Sequence, residues 1–420
     1  MKKILIVGAG IEQVPAIKIA KEMGHRVLVS DMSAQAPGIP YADKSYIVST
    51  KDYEGNLKIS SEENIDGIMT LCSETAIPVV AKISSKLGLP GFSERTAYAA
   101  TNKGAMREAM LQQDVAMSPF IMATSLHQAI EFAQKISPPW VVKPSDSSGQ
   151  RGTTFVNNIK DIPEAFEFAV KYSDDKTALI DQFIDGPEIN VTALLDKGKI
   201  KFLSLSNRVT LGAPNFGIAV RHIAPVHLDS EGQKQIMDMS IKAIRAIGLE
   251  NGIAYPQILM SKDGPRFVEI AVRIPGGHMR EVAMHLSGID MIKTTIWQSL
   301  GMDLNSRNIK TESSYPSVSV KFITSKNIDI KNETVRKITG IEEALKDPSV
   351  KTCYLRLPVG KKVPELQNSV GRFGSIIVTG NSKKETLLKT EKVFDNIKVN
   401  ERPLKEYSNY NPYNKDIIVF

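Results

Sequence analysis

Asp181-Gln182-Phe183-Ile184-Asp185-Gly186-Pro187-Glu188 marks a change in the texture of the chain. On its N-terminal side a β-rich run ends at Phe183. Gly186-Pro187 then punctuates the backbone, and Glu188 opens the long β-rich run EINVTALLD. Upstream, the pattern predicts a strand near Phe120, a helix over 125–136 and the strand Trp140-Val141-Val142-Lys143-Pro144. A loop of small residues follows over 145–152, and then a strand, a helix and a strand ending at Phe183, which together make a small α+β block. Downstream, the runs KIKFLSLSNRVT, GIAVRHIAPVHL, GIAYPQILM and PRFVEIAVR carry turn signals at Asp196-Lys197-Gly198 and Lys262-Asp263-Gly264. They predict an antiparallel sheet with one helix over 231–247.

Further out, the first ninety residues alternate β-rich runs (KILIVG, HRVLVSD, KSYIVS, DGIMTL) with amphipathic helical ones. Strand–helix alternation implies right-handed βαβ units and a parallel sheet. Leu89-Pro90-Gly91 closes this unit. A helical stretch runs from Ser93 to Gln113, with Thr101 or Asn102 able to cap a helix opening at Lys103. The last 120 residues carry strand and helix signals but few motif-like residues. The expected architecture is α/β and α+β multidomain: 1–92 a Rossmann-like unit, 93–117 a helical linker, 118–185 a central α+β unit, 186–300 an antiparallel unit and 301–420 a C-terminal unit.

The 420 residues include 42% hydrophobic and 24% charged residues, an ordinary soluble composition with room for a sizeable core. No run reaches the roughly 18 apolar residues of a membrane span. The opening MKKILIVGAG reads as a buried strand and turn and not as a targeting segment. Two cysteines give neither a disulfide framework nor a metal spacing, so the cytoplasm is the expected compartment. The net charge of +7 comes from scattered lysines without aromatic interleaving, which argues against a nucleic-acid partner.

Two segments carry polyphosphate chemistry. Lys143 closes a strand and Ser147-Ser148-Gly149-Gln150-Arg151-Gly152 follows it. Such a loop can fold its amides over phosphates while the lysine reaches them as a point charge; an ordinary hairpin loop is the alternative. Gly8-Ala9-Gly10-Ile11-Glu12-Gln13 is an incomplete dinucleotide fingerprint, with Gln13 in place of the third glycine and Asp31 ending the second strand. It reads as a tight turn, with backbone N–H groups available to an anion, more readily than as an NAD site.

With these residues in place, the stretch 181–188 resembles the adenine hinge and ribose contact of the ATP-grasp superfamily, with Asp181 where many members have glutamate. Thr101-Asn102-Lys103 is similar to that family's first phosphate-binding lysine segment, Val142-Lys143-Pro144 to the second, and 147–152 to its mobile loop. Asn251–Gln257 and Phe267–Arg273 are similar to its metal-binding strands. Gln257 in place of glutamate is found in the carbamoyl-phosphate-synthetase-like branch, and Ala271 replaces the usual asparagine, so the number of metal ions is open.

The resemblance implies an ATP-grasp fold. ATP would be held by Lys103, Lys143, Ser147, Ser148, Gly149, Gln150, Arg151, Gly152, Asp181, Gln182, Phe183, Ile184 and Glu188, and Mg²⁺ (or Mn²⁺) by Gln257 and Glu269. Arg273, His222 and Arg208 would serve the chemistry, with His222 as an acid/base or simply packed. Glu74, Arg221, Arg273, Gly276 and Gly277 would surround the substrate, in part through the stretch Pro214-Asn215-Phe216 to Pro225. The implied activity is a carboxylate–amine ligase working through an acyl phosphate on small-molecule substrates, in a chain that can form a homodimer. A nucleotide-binding module without catalysis, a bicarbonate-phosphorylating enzyme like carbamoyl phosphate synthetase or biotin carboxylase, and an NAD-dependent oxidoreductase are the competing readings.

Overall fold

The computed structural model describes residues 1–147, 149–212, 215–310, 314–330, 333–411 and 417. Ser148 and Pro214 lie outside them. Four parallel strands, β1 (Lys3–Val7), β2 (Arg26–Asp31), β3 (Lys44–Ile47) and β4 (Gly67–Met69), form the first sheet in the order β3-β2-β1-β4. Helices α1 (Val14–Glu22), α2 (Tyr53–Glu63) and α3 (Ile77–Leu87) connect its strands and follow the last of them. β1 is apolar and almost wholly buried, as a parallel strand covered on both faces must be. The turn after it is partly engaged by its own chain. The Asp31 carboxylate accepts from Ala9 N–H at 2.9 Å and from Ser33 N–H at 2.9 Å. A side chain at Gly38 would stand 2.8 Å from Ala9 O. In this turn the Ala9 amide and the Asp31 acid are each other's partners.

The expected helix over 93–113 is two, α4 (Glu94–Thr101) and α5 (Lys103–Leu111). The chain turns extended at Asn102, whose side chain accepts from Ala105 N–H and caps α5. A second, antiparallel sheet of β5 (Phe120–Ala123), β6 (Trp140–Pro144), β7 (Thr154–Val156) and β8 (Ala178–Gln182) runs in the order β5-β8-β6-β7. Helices α6 (Leu126–Lys135) and α7 (Ile162–Lys171) share its apolar core around Trp140.

The third sheet is the largest. It is built from β9 (Glu188–Asp196), β10 (Lys199–Thr210), β11 (Ala219–Ala224), β12 (Gly252–Ser261), β13 (Gly264–Ala271), β14 (Ser317–Ile323) and two later strands. After the short β15 (Ile338–Thr339) these are β16 (Val350–Leu355) and β17 (Gly374–Gly380). Its antiparallel order is β13-β12-β9-β10-β11-β14-β17-β16, so strands beyond residue 300 continue the sheet begun at Glu188. Helix α8 (Ser230–Ala246) packs into the core beneath β12 and β13. Helices α9 (Met279–Ser287) and α10 (Met291–Ser299) follow β13, α11 (Ile341–Ala344) lies near β16, and α12 (Lys383–Asn396) covers β14 and β17. Strands β18 (Lys398–Val399) and β19 (Arg402–Pro403) join β15 in a small sheet. Among the described residues, no helix is long and apolar enough to cross a membrane.

Candidate functional site

A cleft of about 1080 Å³ lies between the second and third sheets. Strand alternation sends every second residue toward it. Gln257 on β12 is the register partner of Glu269 on β13 and of Asn190 on β9, and Glu188 is that of Leu259 and Arg208. Of the expected nucleotide and metal residues, Lys103, Lys143, Ser147, Gly149, Gln150, Arg151, Asp181, Gln182, Phe183, Ile184, Glu188, Gln257 and Glu269 all line this cleft, with Arg208 beside them. Gly152 does not line it. It has φ +73° and packs under Pro144 and Tyr172, where a side chain would collide at 2.7 Å.

Cations dominate one wall. Lys103, at the start of α5, donates from Nζ to Ser147 O at 2.7 Å. Burial pulls its ammonium below the usual lysine range, with Glu269 opposing. Lys143 Nζ lies 2.8 Å from Asp181 Oδ2. Arg107, one helical turn after Lys103 on α5, binds the same carboxylate at 2.9 and 3.0 Å. Burial raises the Asp181 carboxyl, but Arg107 and Lys143 outweigh it and hold the group below the usual aspartate range. Asp181 is thus a counter-ion that positions Lys143. Arg107 escaped the sequence reading, although its spacing of four from Lys103 was available.

Glu188 and Arg208, expected as separate ribose and carboxylate contacts, are paired with each other at 2.7 and 2.6 Å. Arg208 also donates to Gly217 O at 2.8 Å. Burial raises the Glu188 carboxyl above its ordinary value against the pull of Arg208. Gly217 follows Phe216, whose ring stacks on Phe155 at 4.7 Å, while Phe183 meets both edge-on at 5.1 and 5.7 Å. Phe183 and Phe216, backed by Phe155, give the cleft an apolar end suited to a flat heterocycle. Opposite them, Glu269 makes no ion pair among the described residues and stands beside the Gln257 amide. That carboxylate, with Lys103 as a cationic influence on it, and the neutral Gln257 oxygen could hold a hard cation. No cluster of three His, Cys, Asp or Glu exists among the described residues.

The same sheet face continues past Arg208. His222 is its register partner on β11, Phe322 follows on β14, Ser375 on β17 and Tyr354 on β16. Gly276-Gly277-His278 lies across this floor, so that a side chain at Gly277 would stand 3.4 Å from both His222 Nε2 and Arg372 Nη1. His222 Nδ1 is 3.2 Å from Asn190 Nδ2. Burial, aided by Arg208 and Arg372, holds its pKa well below the usual range. Arg372 lies over the Phe322 ring at 4.3 Å, and burial together with Arg208 lowers it to about 10. No functional role for His278, Phe322, Tyr354, Arg372 and Ser375 was legible in the sequence, because they meet only through the pairing of strands far apart in the chain.

Arg273 and Glu74 form an ion pair with each other and do not line this cleft. Arg221 does not reach the substrate face. Being one residue from His222, it points through the opposite face of β11 to Glu391 on α12. Its expected carboxylate clamp is therefore corrected to a buried structural pair.

Three family models match: the carbamoyl-phosphate synthase L chain ATP binding domain over residues 101–307, the L-amino acid ligase C-terminal domain 2 over 333–402, and the PylC-like N-terminal domain over 4–89. An uncharacterised protein of Sinorhizobium fredii is 22% identical over 331 residues, spanning 78% of this chain and 66% of its own length. A formate-dependent phosphoribosylglycinamide formyltransferase of Methanocella arvoryzae is 27% identical over 194 residues, 46% of this chain and 45% of that protein. The chain thus matches less than half the length of that second relative. Among solved structures, an L-amino acid ligase from Bacillus licheniformis superposes with TM-score 0.80 at 23% identity, covering 97% of this chain and 99% of that one. A phosphoribosylglycinamide synthetase from Anaerococcus prevotii gives 0.77 at 20% identity, covering 95% and 99%. The chain has the ATP-grasp fold of these solved structures, and its matching models make it similar to carbamoyl-phosphate synthases and L-amino acid ligases.

Proposed function

We propose that this chain uses ATP to activate a small carboxylate as an acyl phosphate and joins it to an amine. The observation that carries this reading is the convergence, in one cleft between two sheets, of Lys103, Lys143, Glu188, Gln257 and Glu269. Phosphoryl transfer depends chiefly on positioning and charge neutralisation, and these residues supply both. The carboxylate oxygen attacks the γ-phosphorus and the bond to ADP breaks, with Lys103 and Lys143 holding the phosphate oxygens. Asp181 keeps Lys143 in place. Phe183 and Phe216 receive the base, and Glu188 receives the ribose once Arg208 releases it. Gln257 and Glu269 would hold Mg²⁺, which supplies charge neutralisation at the phosphates when bound. His222, kept neutral, can turn an N–H toward the acyl oxygen beside Gly277.

The test is phosphate release by the full chain given ATP, Mg²⁺ and the common amino acids, with mass spectrometry of products. Release that falls about 100-fold or more in Glu269→Ala is expected, with folding unchanged. Wild type that binds ATP and releases no phosphate with any acid overturns the reading. The synthase model over 101–307 and Gln257 favour a second reading, phosphorylation of bicarbonate. Phosphate release that needs bicarbonate and no amino acid would select it.

A further inference from the structure

An amine is an ammonium at neutral pH and attacks an acyl phosphate only after losing a proton. His222 is poorly suited to accept it, being buried, engaged at Nδ1 and surrounded by Arg208, Arg372 and His278. A second histidine stands on the same floor. His278 precedes α9 with φ +62°, a left-handed conformation that strains a residue with a side chain. The strain lays its ring on Phe322, centroids 5.9 Å apart. Nε2 then lies 2.9 Å from Ser375 Oγ and 3.2 Å from Tyr354 OH. On the other side of the ring, Nδ1 is 3.6 Å from Glu281 Oε2, and Arg280 fixes the second oxygen of that carboxylate at 2.6 Å. Carboxylate, imidazole and hydroxyl thus stand in the order that orients a base.

Building on the ligase reading, we propose that His278 is the positioning residue that accepts the proton of the acceptor ammonium, passed through the Tyr354 hydroxyl, with Glu281 orienting its ring. The ammonium gives one proton to His278 Nε2. The freed lone pair bonds the acyl carbon, the acyl C–O bond to phosphate breaks, and a second N–H proton leaves with the phosphate as hydrogen phosphate. Products are the amide, hydrogen phosphate and a protonated His278 that returns its proton to water. The titratable and charged groups facing the ring are Glu281 from α9, Tyr354 from β16, His222 from β11 and Arg372 from the loop before β17.

The test pairs two acceptors. The full chain is given ATP, Mg²⁺ and the common amino acids, with or without hydroxylamine, which is neutral at pH 7 and traps an acyl phosphate without a base. In His278→Gln the ratio of amide to hydroxamate falls about 100-fold and recovers as pH rises toward the pKa of the amine itself. Tyr354→Phe, which keeps the ring, moves the ratio the same way. A ratio within about 3-fold of wild type in both variants overturns the relay, and so does an equal loss in both arms, which marks a merely structural histidine. Absence of hydroxamate from wild type is a different result: it removes the ligase reading itself, and the relay with it.

Discussion

Asp181 faces two cations inside the protein, and its environment decides what its loss would do. With Arg107 and Lys143 both within 3.0 Å, Asp181→Asn keeps the shape and leaves two buried positive charges without their counter-ion. Breaking such a pair costs about 3–5 kcal/mol, which urea unfolding at pH 7 will read. The pH dependence has a definite sign. The folded carboxyl titrates below the unfolded one, so its stabilisation is complete above about pH 4 and is lost as pH falls through the folded value. The Asp181→Asn variant, whose amide has no such proton to gain, will show a shallower loss of stability between about pH 5 and about pH 3. Lys103 and Lys143 were legible because one opens a helix and the other stands at the end of a strand, and Gln257 and Glu269 because they lie on neighbouring strands that resemble a known metal-binding pair. Arg221 was misread because one step along a strand reverses its face. His278 and Arg372 were illegible because nothing local records that α9 and the loop before β17 meet over Phe322.

Asn102 acts at the scale of an element. Its backbone leaves the helical region and its side chain closes the first turn of α5, which fixes where Lys103 and Arg107 project. Asn102→Ala removes the cap at a cost of about 1 kcal/mol, measurable by denaturant unfolding. Because Lys103 N–H also donates to Ser145 O at the base of the phosphate loop, the same change is expected to raise KM for ATP more than it lowers kcat. Elements of this kind were readable wherever periodicity and punctuation agreed. The strands Glu188–Asp196 and Lys199–Thr210 match their predicted runs because alternation and the Asp196-Lys197-Gly198 turn specify them together. The run from Gly217 forms a strand only over Ala219–Ala224, since Pro225 has no N–H to continue the ladder.

At the scale of the molecule, the third sheet joins the floor of the cleft to the floor around Phe322, and buried charge secures the far side of that join. Lys321, on β14 with its side chain fully buried, pairs with Glu391 of α12 and with Glu406, and lies over Phe394 at 3.6 Å. Arg221, next to it in register, takes the other oxygen of Glu391. Glu406 belongs to a segment after β19 that runs back under the sheet. Tyr407 donates to Phe322 O at 3.0 Å, and Asn411 N–H donates to Thr210 O at 2.9 Å, beside the cleft that Asn411 itself lines. This segment therefore ties the strand carrying Phe322 to the end of the strand carrying Arg208. Glu406→Gln weakens one of the two anions on Lys321 and is expected to cost about 2–3 kcal/mol while leaving ATP binding intact. Removing residues 404–420 takes from Lys321 one of its two anions, and from Phe322 O and Thr210 O these donors, at once. Both halves of the floor then loosen, so a lower Tm is accompanied by a higher Kd for ATP. Calorimetry and nucleotide titration of the two variants side by side check this: a truncated chain that melts lower yet binds ATP as wild type does would show that the segment supports only the floor around Phe322.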